Sequence, residues 1–149
     1  MPREHFDITM TEDELQAFLG SFSRLVLATN DRDGGTWGDG VPYQFTGDRV
    51  YFRVPDGSRS LANLRADDRV CCTVENHPGG SSYYAIRGAL VHGRAREESN
   101  GTAPPALAGT PDPTESGRFD GPTFSVGLDD VVSFVFAKIA YRYTDRPDL

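Results

Sequence analysis

Three short runs, Arg24–Thr29, Thr36–Phe45 and Arg49–Val54, follow one another with only Asn30 and the DRDGG turn, then Thr46-Gly47-Asp48, between them. A parallel return needs a crossover of about a dozen residues or more, so these runs are antiparallel neighbours joined by glycine-bearing turns. A short helix opening at Ser58 comes next, then Arg69–Glu75 as a fourth strand and Tyr83–Ala95 as a long alternating fifth. Val131–Tyr143 closes the sheet as a sixth. Ahead of the meander, Thr11 and Glu14 form a capping box, and Leu15, Phe18, Leu19 and Phe22 make the apolar stripe of an N-terminal helix that ends near Gly20.

With 149 residues the chain is expected to be one domain, residues 1–149, built as a single barrel or sandwich. The formal charge of −7 repels a phosphate backbone, so nucleic acid is not an expected partner. No apolar run approaches the roughly 20 residues that span a bilayer, and MPREHFDITM lacks the apolar stretch of a signal peptide. A soluble, cytoplasmic protein without a membrane partner is the expectation. Cys71 and Cys72 adjoin in one strand, point to opposite faces and read as reduced packing residues. His5, His77 and His92 form no ligand spacing with them, so no metal centre is expected.

The chain carries no GxSxG elbow, no HExxH and no GxGxxG or GxxxxGK frame. Its aspartates fall mostly in turns, where they stabilise backbone and face water. One stretch stands apart, YFRVPDGSRSLANLRADDRV at 51–70, which joins a strand to the helix opening with Ser58 and Arg59. The first N–H groups of a helix have no internal partner and carry partial positive charge, so such a start suits an anion. Ser58 either caps the helix or donates to a phosphate, and Arg59 either grips that phosphate or lies solvated.

In order and spacing, these pieces resemble the flavin-binding split β-barrel family typified by pyridoxamine 5'-phosphate oxidase. The resemblance runs over roughly residues 11 to 95 and takes in RLVLATNDRDGG, WGDGVPYQF, Tyr51-Phe52, Ser58-Arg59-Ser60, Asn63-Leu64, Asp67-Asp68-Arg69-Val70 and YYAIRGALVHGRAR. Two departures stand out: Ser60 replaces the usual Lys of the phosphate clamp, and Asp39-Gly40 precedes Val41 where many relatives carry Arg or Ser-Pro. The resemblance implies a mostly β fold, an antiparallel six-stranded split β-barrel with the N-terminal helix and a short helix after the third strand, assembled as a homodimer. It further implies FMN, or a phosphate-bearing deazaflavin, as cofactor of an oxidoreductase acting on a small organic substrate. The cofactor-binding residues it marks are Val41, Tyr43, Arg53, Val54, Ser58, Arg59, Ser60 and Asn63.

Other readings stay open beside that one. Arg53 either meets the cofactor or pairs with a surface Asp, and Trp37 and Tyr43 are either ring-stacking walls or core. With the clamp Lys absent, a non-enzymatic protein of the same fold that binds flavin, haem or another ligand is the alternative. Pyridoxamine 5'-phosphate oxidase itself is a weaker candidate, since the chain ends AYRYTDRPDL with no counterpart of that enzyme's C-terminal Trp and Arg-Leu segment. Finally, residues 97–122 are rich in Pro and Gly and lack periodicity, which suits either a cover over the substrate opening or a passive surface insertion.

Overall fold

The computed structural model describes residues 7–78, 83–99 and 121–139. Helix α1 (Glu12–Gly20) precedes strands β1 (Arg24–Asn30), β2 (Thr36–Phe45) and β3 (Arg49–Arg53), and helix α2 (Arg59–Ala66) separates these from β4 (Arg69–Asn76). Four further strands follow: β5 (Arg87–Arg94), β6 (Arg96–Glu97), β7 (Thr123–Gly127) and β8 (Asp130–Val135). They form one antiparallel sheet in the order β6-β7-β3-β2-β1-β4-β5-β8. The mostly β architecture with its two helices is as expected, but among the described residues the strands number eight and not six.

The two added strands flank the aperiodic segment. In β7 (TFSVG) Thr123, Phe124, Ser125 and Val126 are all buried, over too short a run to stand out in the sequence, and β6 is only two residues long. The fifth strand begins at Arg87, because Tyr83–Ala85 forms a 3-10 turn stacked against Phe136. The last strand stops at Val135, where the chain turns at Phe136 into a helical stretch over 137–139. Residues 140–143 of the expected strand, and 100–120 of the aperiodic segment, lie outside the described residues.

Alternation explains how the sheet buries a core. Leu25 and Leu27, Val41 and Tyr43, Val50 and Phe52, and Cys72 and Val74 all point inward, and Phe52 stacks on Phe124 with ring centroids 6.1 Å apart. The sheet curls into a half-barrel that brings β5 against β7, and Gly93 makes the approach possible, since a Cβ there would lie 2.9 Å from Val126. α1 buries Phe18 and Leu19 under the curl. Its capping box is present, with the Glu14 N–H donating to Thr11 and the Thr11 N–H to Glu14. Lys138 also donates to the Glu14 carboxylate at 2.7 Å, and these bonds hold its pKa down at about 2.

Close approach also fixes Gly121, where a Cβ would fall 1.8 Å from the Val54 carbonyl oxygen and 2.7 Å from the Asp56 nitrogen. Gly121→Ala must therefore move backbone and is expected to cost about 1–3 kcal/mol or more. Gly20→Ala, with nothing within 4 Å, is expected to stabilise by up to about 0.5–1 kcal/mol. Urea unfolding of the two variants beside the parent checks both signs.

Candidate functional site

The site begins with a proline. The Tyr43 N–H donates to Ser23 at 2.9 Å, so in the β1–β2 ladder residues 43, 41, 39 and 37 of β2 turn their backbone groups to β1. Residues 44 and 42 turn theirs to β3, and Gln44 pairs with Tyr51 there. Pro42 comes next and has no N–H to give. The β2–β3 pairing accordingly ends at Tyr43 and Phe52, and β3 beyond it holds only β7, with the Val54 N–H donating to Pro122 at 3.3 Å. Past Pro42 the two strands part, and the backbone groups of Gly40 and Gly38 are aimed into the split. Neither glycine carries a side chain, and a Cβ at either would meet only Arg24 or Val26 at van der Waals distance.

α2 fills the inner side of this split and is fixed there by polar contacts. Ser58 caps it by accepting the Leu61 N–H at 3.2 Å, while Leu61 and Leu64 bury its apolar side. The Arg59 guanidinium donates through Nε at 3.0 Å and through Nη2 to the Asp31 carboxylate, and lies 4.3 Å above the Trp37 ring. Ser60, fully buried, donates to Asp39 at 3.3 Å. The buried Asn63 amide donates to Asp31 at 2.8 Å and to Thr29 at 3.1 Å. The Arg59 guanidinium first, and the Asn63 amide second, lower the pKa of Asp31.

The eight sequence-marked residues thus fall into three places. Ser58, Arg59, Ser60 and Asn63 come together at the start of α2. Val41, Tyr43 and Val54 point into the core, where the Tyr43 hydroxyl donates to the Leu19 carbonyl at 2.6 Å. Arg53 sits at the end of β3, its Nε buried and without a hydrogen-bond partner among the described residues. Trp37, left open as wall or core, is partly exposed beneath Arg59. Asp31 was passed over as a turn residue, and it does sit in the DRDGG turn, its N–H donating to Gly35. No local pattern marks its bond to an arginine 28 positions away.

A cavity of about 210 Å³ lies elsewhere, between α1 and the strands carrying Arg87 and Val135, and shares no residue with the α2 cluster. Among the described residues no group of three or more His, Cys, Asp or Glu side chains is placed to hold a metal, and no helix is long and apolar enough to cross a membrane.

The family model for pyridoxamine 5'-phosphate oxidase matches residues 11–111 of the chain. No curated protein matches it. A conserved hypothetical protein from Mycobacterium tuberculosis superposes with a TM-score of 0.69 at 22% identity, over 93% of this chain and 92% of its own. For an FAD-binding protein from Mesorhizobium loti the TM-score is 0.66 at 20% identity, over 84% and 93%. A heme-binding protein from Mycobacterium smegmatis gives 0.62 at 17%, over 91% of this chain but 62% of its own. At these identities the likeness is one of fold.

Burial pushes the Tyr43 phenol up from 10.0 to about 12. The folded state therefore holds this proton more tightly, so its stabilisation is complete below pH 10 and is lost as pH rises towards 12. Tyrosinate absorbance is expected to show one late-titrating tyrosine that Tyr43→Phe removes. The same substitution leaves the Leu19 carbonyl without its partner and is expected to cost about 1–3 kcal/mol in urea unfolding.

Proposed function

Because the chain belongs to the pyridoxamine 5'-phosphate oxidase family, we propose that it is a homodimeric flavin-dependent oxidoreductase acting on a small organic substrate. The observation that carries this reading is the split beyond Pro42, where the backbone edge of Gly38 and Gly40 enters no β2–β3 pairing and offers hydrogen-bonding groups to a ligand, with the Arg24 guanidinium donating to the Gly40 carbonyl at 3.3 Å beside them. A flat heteroaromatic ring with alternating donors and acceptors suits such an edge, since it needs close backbone approach and no intervening side chain. Arg53 supports the same reading, because a buried N–H without an acceptor is costly unless a ligand supplies one. A bound flavin would supply hydride transfer, and this chain's groups would bind and orient its ring.

FMN and a phosphate-bearing deazaflavin both present such a ring. Their terminal phosphate does not fit the start of α2 as it stands, where Ser58, Arg59 and Ser60 are each already paired. That pairing also favours the second reading, a non-enzymatic carrier of flavin, haem or another ligand. Reduction of a bound flavin by a candidate donor substrate separates the two.

Support for the homodimer comes from the outer face of the sheet. Val26, Thr73, Leu90 and Val132 lie opposite one another across β1, β4, β5 and β8, and Val26 and Val132 are 53% and 54% exposed. A row of this kind suits the apolar centre of an interface.

Riboflavin fluorescence quenching is expected to give saturable binding to the parent. Gly40→Val, which the strand can house beside Arg24, is expected to weaken that binding at least tenfold while urea unfolding stays within about 0.5 kcal/mol of the parent. Unchanged affinity would remove the β2 edge from the site. Light scattering is expected to give about twice the 16.3 kDa chain mass, and Val26→Glu with Val132→Glu to return the monomer.

A further inference from the structure

The polar side chains at the start of α2 are turned towards groups of this same chain. Ser58 accepts the Leu61 N–H, Arg59 presents one edge of its guanidinium, Nε with Nη2, to Asp31, Ser60 donates to Asp39, and Asn63 adds a second donor group to Asp31. The cluster thus holds one guanidinium and two carboxylates, Asp31 on Arg59 and Asp39 on Ser60, a formal charge of −1 before any ligand arrives. Asp33 adds further negative field at Arg59. Asp31 is nine-tenths buried, and the two donors on it keep it ionised at neutral pH. A phosphomonoester carries about −1.5 to −2 at pH 7. To settle here it would have to displace Asp31 from Arg59 and then lie beside both freed carboxylates.

Ser60 and Asp39, both among the departures from the family resemblance drawn from the sequence, touch one another. The serine takes away a cation and the aspartate adds an anion, so the two changes push the local charge the same way.

We propose that this site selects against a terminal phosphomonoester, so that riboflavin, whose side chain ends in an uncharged polyol, binds in preference to FMN. The preference between the two flavins rests on the reading that the split holds a flavin ring. The rejection of phosphate rests on the α2 cluster alone.

Two measurements separate these. In fluorescence titrations the parent is expected to bind riboflavin more tightly than FMN, and Asp39→Arg with Ser60→Lys to shift the affinity ratio tenfold or more towards FMN. FMN binding the parent more tightly than riboflavin overturns the proposal, as does an unmoved ratio in a variant that remains folded. Should neither flavin bind the parent, the flavin reading falls, and thermal unfolding in inorganic phosphate against chloride of equal ionic strength decides the rest. Phosphate is then expected to raise the Tm of the double variant and leave the parent's unchanged. A rise in the parent that Arg59→Ala abolishes overturns the selection.

Discussion

A single missing hydrogen governs much of this molecule. Pro42 lies where β2 would next exchange hydrogen bonds with β3, and having no N–H it ends that ladder at Tyr43 and Phe52. β3 is then free to turn away with β7, whose Pro122 carbonyl takes the Val54 N–H, while β2 continues alongside β1 through Thr36. An open wedge in a sheet exposes backbone polar groups and core at once, and α2 answers the second need by laying Leu61 and Leu64 across the gap. What stays outside the β2–β3 pairing is the edge carrying Gly38 and Gly40, where the Arg24 guanidinium reaches the Gly40 carbonyl.

The cluster at the start of α2 also shows how one geometry can serve two ends. Arg59 is half exposed, and an ion pair of that kind contributes little to stability. Ser60, Asn63 and Thr29 are buried, however, and each is tied to the cluster by a hydrogen bond. Removing one member would leave a buried polar group without its partner, which costs more than the bond itself contributes. The network therefore fixes the register of α2 on β1 and β2, and in doing so sets the charge that any ligand meets there.

Where local chemistry settles an element, the sequence was enough to find it. Thr11 with Glu14 marked α1, DRDGG and Thr46-Gly47-Asp48 marked the turns of the meander, and Ser58 marked the cap of α2. β7 escaped because its alternation of Thr123, Phe124, Ser125 and Val126 is only four residues long and adjoins the Pro- and Gly-rich run, and Tyr83–Ala85 looked like strand although the Tyr83 ring packs onto Phe136. The site was legible only in part for a related reason. Ser58, Arg59, Ser60 and Asn63 share one helix turn, so their grouping is local, whereas Asp31 and Asp39 reach them only through the curl of the sheet. Pro42 was equally visible, but its effect depends on which edge of β2 faces β3, a matter of hydrogen-bond parity.

The anchors of the aperiodic segment bear on how this chain can change. The Glu98 N–H donates to the Thr123 carbonyl at 2.8 Å, and Glu97 lies opposite Phe124, so the two ends of the segment are held at adjoining positions of one ladder. For a loop whose ends are pinned together in this way, the entropy of closure grows only with the logarithm of its length. Residues can be gained or lost between these anchors with little strain passed to β3 or to the split. The β6–β7 junction is thus a port through which new sequence, even a whole added module, can enter without rebuilding the fold that receives it.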